Sequence, residues 1–131
     1  MSGDKPDTFD FLGFTHYWAR SLQGNWVVKR KTASKRMSAK LTAIGEWCRN
    51  NRHRPLKEQQ KVLSSKLRGH YNYYGIAGNY RGISSYSYAV TKLWKKWLYR
   101  RSRKGSKTWE TFSKLLSVFP LPSPRVVHSN I

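Results

Sequence analysis

The sequence reads LRGHYNYYGIAG from Leu67 to Gly78, and this stretch decides the fold that we predict. Residues three and four positions apart are neighbours on a helix, so Leu67, Tyr71 and Tyr74 share one face of a helix entering the stretch. We predict that this face packs into a core, because aromatic residues at helical spacing usually do so. Gly75 follows directly and is suited to end the helix as a left-handed C-cap.

The same stretch also carries polar and charged residues that lie to the side of the predicted core face. Arg68, His70 and Tyr73 combine cations with an aromatic ring, which is typical of a surface that binds a polyanion. The glycine-rich loop GIAGNYRG follows and adds Asn79 and Arg81. We interpret His70, Tyr73, Asn79 and Arg81 as candidates for specific RNA contacts, and Arg68 as a phosphate contact.

Upstream, the sequence predicts a β-hairpin over residues 9–33 and then a helix. FDFLGFTHYW (9–18) and WVVKRK (26–31) are β-type runs, and SLQGN between them supplies turn residues. Thr32 or Ser34 can cap a helix that starts near Lys35. Its apolar stripe, at the spacing i, i+4, i+7 and i+11 with one flanking tryptophan, is Met37, Leu41, Ile44, Cys48 and Trp47.

Three further helices are predicted from Pro55 onward. Pro55 suits the first position of the second helix, whose buried stripe we expect to be Leu56, Leu63, Leu67, Tyr71 and Tyr74. The third runs from about Ile83 to Lys104, with an apolar face of Tyr86, Val90, Leu93, Trp94, Trp97 and Leu98. Gly105 interrupts it, and Thr108 caps a short last helix.

The predicted fold class is therefore mainly α. A small bundle of three to four helices occupies residues 34–119 and follows the N-terminal β-hairpin. We expect residues 1–8 to be a disordered lead-in, and the Pro-rich residues 120–131 to run as an extended tail over the surface.

The charge balance points to a polyanionic partner. The chain of 131 residues has 26 Lys and Arg against 6 Asp and Glu, a formal net charge of +20. So large an excess of one sign repels itself in a compact fold, and a polyanion would relieve it, with nucleic acid as the first candidate. A membrane partner is not expected, because no stretch approaches the roughly 20 apolar residues of a membrane span and no signal-peptide-like run follows Met1.

The basic residues fall into clusters that we interpret as the RNA-binding surface. Lys29 and Lys31 share one strand face, since side chains alternate along a strand. Binding through phosphates would be salt-sensitive, and interleaved aromatic rings favour structured or single-stranded RNA over plain duplex DNA. Besides Arg68 and the four candidates of the glycine-rich stretch, the candidate contacts are Lys29, Arg30, Lys31, Lys35, Arg36, Lys40, Arg49, Arg52, His53, Arg54, Lys92, Lys95, Lys96, Arg100, Arg101, Arg103 and Lys104.

Catalytic chemistry is not expected of this chain. Two-metal phosphoryl transfer needs converging carboxylates, and beyond residue 10 only Glu46, Glu58 and Glu110 remain. The four histidines have no metal-ligand spacing, and the single Cys48 can form neither an internal disulfide nor a cysteine-based zinc site. We therefore predict a protein that is not an enzyme on its own and that binds no metal or cofactor. We expect it to work in a reducing compartment, which is the cytosol if the source is a bacterium.

Six segments, spread over nearly the whole chain, carry a family resemblance. They are FLGFTHYW (11–18), VKRKTASKRMSAKL (28–41), WCRNNRHRPLKEQQKVLSSKLRGHYNYYGIAGN (47–79), VTKLWKKWLYRRSRK (90–104), TWETFSKLL (108–116) and FPLPSPRVVHS (119–129). In this order they resemble the C-terminal part of bacterial group II intron-encoded reverse transcriptases. That part comprises the end of the last reverse-transcriptase block and the thumb, also called the maturase-specific domain or domain X.

The resemblance implies an RNA-binding function. Members of that family bind the structured RNA of their own intron, assist its folding and splicing, and reverse-transcribe it during retrotransposition. Their helical thumb grips intron RNA and the primer–template duplex. We therefore expect a maturase-type module that binds structured group II intron RNA, with an RNA/DNA duplex as a second ligand.

The chain also departs from the family, and alternatives stay open. The YADD active-site turn, the fingers and the palm are not in this sequence, so polymerase and nuclease activity are not carried over. The chain could instead dock onto a separate fingers–palm polypeptide through an exposed aromatic face of Phe9, Phe11 and Phe14, completing a split reverse transcriptase. It could be a remnant of a degraded intron reading frame with only general nucleic-acid binding, or a piece of a longer protein.

Overall fold

The computed structural model describes residues 8–101 and 108–128. Within them the chain forms three strands and four helices, which confirms the predicted mainly α fold. The elements are β1 (Phe9–Phe11), β2 (Phe14–Arg20), β3 (Trp26–Thr32), α1 (Ser34–Asn51), α2 (Leu56–Tyr74), α3 (Tyr80–Leu98) and α4 (Trp109–Val118). Most of the predicted lead-in, Arg103, Lys104, Gly105 and the last three residues of the predicted tail lie outside the described residues. None of the described helices has the length and apolar composition needed to cross a membrane.

The predicted hairpin is a three-stranded antiparallel sheet in the order β1-β2-β3. The run from Phe9 to Trp18 folds back on itself, because Leu12 (φ 53°) and Gly13 (φ 85°) form a two-residue turn that pairs Phe11 with Phe14. Positive φ at both central positions is the conformation of the hairpin turns that match strand twist. Phe14, at the end of this turn, is the one strand residue among the described chain that joins the main core cluster.

The core lies where α1, α2 and α3 meet, and α4 closes one end. Its largest fully buried side chains include Trp94 and Tyr86 of α3, Leu63 and Leu67 of α2, and Phe112 of α4. Burial repeats at helical spacing along each element, so the predicted stripes of α2 and α3 are largely observed. Leu93 and Trp97, which the sequence places on the same face of α3, are only partly buried.

Asn79 links the sheet to the helices through Thr32, and the predicted capping of α1 by Thr32 or Ser34 is wrong. Its side-chain amide donates to Thr32 Oγ1 and to the Tyr74 carbonyl, both at 2.9 Å, and its Oδ1 accepts from the Thr32 amide at 3.1 Å. Thr32 is thus committed to Asn79 and does not cap α1. Ala33 occupies the N-cap position of α1, where no side-chain cap bond forms.

Two helix ends differ from prediction. Gly75 is not left-handed (φ −80°, ψ 62°). Glycine is required there for a different reason: a Cβ would collide with the carbonyl oxygens of Tyr71 and Arg125, because the C-terminal segment passes close to this position. Helix α3 ends at Leu98 instead of continuing toward Lys104. The Arg100 amide donates to the Trp97 carbonyl three residues back, a tightened turn that closes the helix.

The C-terminal segment runs extended along α2, as predicted. Tyr71 donates its hydroxyl to the Pro122 carbonyl at 2.9 Å, and Gln60 donates to the Pro120 carbonyl at 2.8 Å. The amides of Val127 and His128 both donate to the Gly75 carbonyl. These bonds fix the segment to the same stretch that ends α2.

Candidate nucleic-acid interface

Helices α1 and α3 leave a groove of about 550 Å³ along one side of their contact, which we call the α1–α3 groove. Gly45 of α1 faces Leu93 of α3, and a Cβ at this position would lie in ordinary van der Waals contact with the Leu93 side chain, at 3.6 Å. The groove is lined by Leu41, Thr42, Gly45, Glu46, Arg49, Tyr88, Ala89, Lys92, Leu93, Lys96 and Trp97. The cations among them belong to the predicted RNA-binding clusters of two different helices, which the fold brings onto one surface.

At one end of the α1–α3 groove, cations surround the half-buried ring of Trp97. The charged groups lie at the following distances from the ring centroid: Lys96 at 5.1 Å, Arg100 at 5.3 Å, Arg49 at 5.8 Å and Arg52 at 6.0 Å. Each cation is attracted to the aromatic ring by about 0.5–1 kcal/mol at such exposed sites. The ring therefore gathers like charges that would otherwise spread apart, and the resulting positive potential suits a phosphate backbone.

A second basic pocket, of about 490 Å³, lies between β3 and the start of α3. It is lined in part by Lys31, Arg81 and Tyr17, and the Lys31 ammonium lies 5.3 Å from the Tyr17 ring centroid. Lys29 pairs with Tyr17 across the sheet and lies on the same face as Lys31. Arg30 lies on the opposite face, with its guanidinium 5.7 Å from the Phe14 ring centroid.

The cations at the start of α1 are less available to a polyanion than those of the α1–α3 groove. Lys35 and Arg36 line a pocket that also contains the Asp10 carboxylate, which offsets part of their charge. Lys40 is half-buried, 5.5 Å from the Tyr74 ring centroid and 5.7 Å from that of Tyr86. Burial lowers the pKa of Lys40, and Arg36 and Lys66 lower it further by repulsion.

The prediction that His70 contacts RNA is wrong for this conformation, because its side chain is buried. The imidazole stacks between Tyr86, at a centroid distance of 3.6 Å, and Tyr74, at 4.6 Å. Burial, and secondarily the charge of Lys40, lowers the pKa of His70 to about 3, so the ring is neutral at physiological pH. His70 follows Leu67 by three positions and precedes Tyr74 by four, a spacing that could have placed it in the core.

Asn79 and Tyr73 also have structural partners. Asn79 is 1% exposed, and its hydrogen bonds to Thr32 and Tyr74 leave it no access to RNA, so that candidate contact is wrong too. Tyr73 donates its hydroxyl to the Leu12 carbonyl and stacks on Phe14 at a centroid distance of 5.6 Å. Its role is to hold the β1–β2 turn against α2, although half of its ring stays exposed.

Other predicted contacts line none of the pockets described above, and most of them are exposed. Arg68 projects from the outer side of α2 and lines none of the pockets described above, and His53 and Arg54 lie in the turn between α1 and α2. Arg101 follows the end of α3, while Lys95 lies on its last turn and is half-buried. Arg103 and Lys104 lie outside the described residues.

The sequence interpretation missed an exposed aromatic pair beside the α1–α3 groove. The rings of Tyr88 and Trp109 are stacked, with centroids 6.2 Å apart and planes 10° apart. A signal was present: Tyr88 lies two positions after Tyr86 and two before Val90, off the apolar stripe of α3. For Trp109, at the first position of α4, nothing in the sequence indicates that it pairs with Tyr88.

Within residues 8–101 and 108–128, the structure brings together no group of three or more histidine, cysteine, aspartate or glutamate side chains that could hold a metal ion. Burial raises the pKa of the Cys48 thiol to about 12, so this buried cysteine remains protonated. Comparison with protein-family models, curated proteins and solved structures found no match for the chain. A functional assignment therefore rests on the residues themselves.

Proposed function

We propose that the protein is an RNA-binding module that holds structured RNA across the α1–α3 groove and performs no chemistry of its own. The observation that carries this proposal is the set of cations gathered around Trp97. They come from the end of α1 and the end of α3, and the groove that they adjoin contains the acid Glu46. The positive charge of this surface is complementary to the negative charge of a nucleic-acid backbone.

RNA fits this surface better than duplex DNA for two reasons. Three of the cations around Trp97 are arginines, whose planar guanidinium groups bind phosphate oxygens in pairs and stack on exposed bases. Aromatic side chains lie among the cations, and folded RNA offers unpaired bases for such rings whereas duplex DNA does not.

The resemblance to the thumb of group II intron-encoded reverse transcriptases supports a particular RNA. On that basis the ligand is the structured RNA of a group II intron, and binding assists its splicing or retrotransposition. An RNA/DNA duplex is a second ligand of the same charge. The module would then work in the bacterial cytosol, where intron RNA is made.

Neutralising the groove lysines is expected to reduce the salt dependence of RNA binding. In a Lys92→Ala/Lys96→Ala variant, each lost phosphate contact lowers the slope of log K against log salt concentration by about 1, giving a total change of about 2. Fluorescence anisotropy with a structured RNA, titrated between low and high salt, measures this slope. Melting temperatures of variant and parent check that the fold is intact.

The matched control is a Lys57→Ala/Lys61→Ala variant, which removes the same charge from exposed positions on α2 that do not line the groove. Its slope should stay close to that of the parent. Equal changes in the two variants would mean that the chain binds as a diffuse polycation, and the assignment of the groove would be rejected.

One observation favours a second candidate, the docking subunit of a split reverse transcriptase. Phe9 (56% exposed) and Phe11 (59% exposed) alternate along β1 and lie on one face of the sheet with the exposed Trp18. Phe14 pairs with Phe11 and lies on the same face, as predicted, but it is buried against Tyr73 and Tyr74 of α2 and so is not part of the exposed surface. The occupant would be a separate fingers–palm polypeptide. This candidate would be supported if the isolated chain aggregates and co-expression with a fingers–palm polypeptide prevents the aggregation. An isolated chain that is a monodisperse monomer would count against it.

A further inference from the structure

We propose that Tyr88 and Trp109 form a stacking platform for an unpaired base of the bound RNA. This inference rests on the proposed RNA-binding function and adds to it the kind of nucleotide that the site takes. The two rings come from different helices, α3 and α4, and lie nearly parallel with centroids 6.2 Å apart. Tyr88 is 60% exposed and Trp109 is 43% exposed, so aromatic surface of both remains open to solvent.

The platform is held in place from below. Trp109 meets the fully buried Phe112 edge to face, with centroids 5.9 Å apart. Phe112 in turn packs edge to face on the buried Trp94, also at 5.9 Å. Tyr88 projects from the middle of α3, whose core side is anchored by Tyr86 and Val90. The rings therefore need little ordering when a base arrives, which favours binding.

Each ring of the platform has its own cation. The ammonium group of Lys92 lies 5.3 Å from the Tyr88 ring centroid, and that of Lys95 lies 5.0 Å from the Trp109 ring centroid. Lys92 and Tyr88 also line the α1–α3 groove, so the platform adjoins the proposed path of the RNA backbone. A phosphate on Lys92 and a base on the neighbouring ring are contacts that successive parts of one strand can make.

This arrangement selects unpaired nucleotides and not a particular sequence. Every base has a π-face, so stacking on an aromatic side chain is tolerant of base identity, while bases inside a duplex are already stacked on each other. Glu110 follows Trp109 by one residue and lies in the first turn of α4, where a carboxylate is favourable near the helix N-terminus. The ligand class is therefore a single-stranded segment or loop next to a helical stretch of RNA.

The test compares a ten-nucleotide oligouridylate, an abasic RNA of ten phosphates, and a blunt ten-base-pair RNA duplex. The parent protein should bind oligouridylate more tightly than the abasic strand at equal salt. Tyr88→Ala should weaken oligouridylate binding by about 5- to 150-fold, the range for one stacked base. Its affinity for the duplex and for the abasic strand should fall much less, because neither offers an unpaired base to the ring, and Tyr88→Phe should bind as the parent does.

The single variant at Tyr88 avoids a folding ambiguity, since Trp109→Ala would also remove a contact to Phe112. An unchanged affinity of Tyr88→Ala for oligouridylate, or a parent protein that does not distinguish oligouridylate from the abasic strand, would overturn the platform. If the Lys92→Ala/Lys96→Ala variant still weakens binding of all three RNAs in that case, the RNA-binding function stands and only the platform fails. Loss of duplex and oligouridylate binding together in Tyr88→Ala, without a change in melting temperature, would also contradict it.

Discussion

Replacing Trp94 with alanine is expected to lower the free energy of unfolding by about 3–5 kcal/mol, the range for large aromatic residues in a core. Trp94 is fully buried and its ring meets Phe112, so the substitution opens a cavity between α3 and α4. The indole N–H also donates to Gln59 Oε1 at 3.0 Å. Removing it leaves the buried Gln59 oxygen without that donor, which adds to the cost. Urea unfolding followed by far-UV circular dichroism measures the change.

Trp97→Ala is the matched control, because the same residue type lies three positions later on the same helix. Trp97 is only half-buried, at the end of the α1–α3 groove, so its removal should cost clearly less stability than removal of Trp94. The same variant should weaken RNA binding, since the surrounding cations lose the ring that gathers them. Equal losses of stability in the two variants would show that Trp97 belongs to the core, as its spacing suggested.

The stability of the protein is expected to fall as the pH drops from about 6.5 toward 3, and His70 should account for a large part of the fall. The pKa of His70 is lowered to about 3 in the folded chain, chiefly by burial and then by Lys40, whereas an unfolded histidine titrates near 6.5. Between these two pKa values, His70 is protonated in the unfolded state and neutral in the folded state. The stabilisation is therefore complete above pH 6.5 and is lost as the pH falls, by about 3–5 kcal/mol in total.

His70→Phe isolates this contribution, because phenylalanine can keep the stack between Tyr74 and Tyr86 but does not titrate. Lys40 and Lys66 line the same small cavity and are present in both proteins, so the comparison changes only the residue at position 70. The difference in unfolding free energy between the parent and the variant, measured by urea titration at several pH values, should change steeply below pH 6.5. Parallel profiles would mean that His70 is reached by solvent in the folded chain.

The helical core could be predicted from the sequence because burial on a helix repeats at a fixed spacing. Ile44 and Cys48 on α1, and Leu63, Leu67 and Tyr71 on α2, were expected in the core and are buried there. Thr108 was expected to cap the last helix, and its hydroxyl accepts from the Thr111 amide. These features depend on residues close together in the chain, where one helix fixes the geometry.

What the sequence could not show depends on partners far along the chain. The imidazole of His70 is enclosed by Tyr86 on another helix, and Asn79 is bonded to Thr32, which is 47 positions away. The turn at Leu12 and Gly13 was missed because a leucine at positive φ lacks the usual Asn-Gly signature. The stacked pair of Tyr88 and Trp109 likewise exists only after α4 has packed against α3.

The same limit applies to the candidate interface. The charge clusters were visible in the sequence, since Lys92, Lys96 and Arg100 recur at intervals of four along one helix face. Their meeting with Arg49 and Arg52 around Trp97 required the packing of α1 on α3. Sequence reasoning therefore predicted which residues carry the charge, and the fold determines which of them act together.

The central claim is that this chain recognises structured RNA, and a salt-titrated competition assay tests it most directly. The protein is bound to RNA transcribed from the DNA that flanks its gene, and it is challenged with an unrelated structured RNA or a DNA duplex of equal length. We expect a preference for the flanking RNA that persists as salt rises, because contacts beyond phosphate neutralisation are less salt-sensitive. Equal binding to all three, lost together with increasing salt, would contradict the account and leave a polycation without RNA preference.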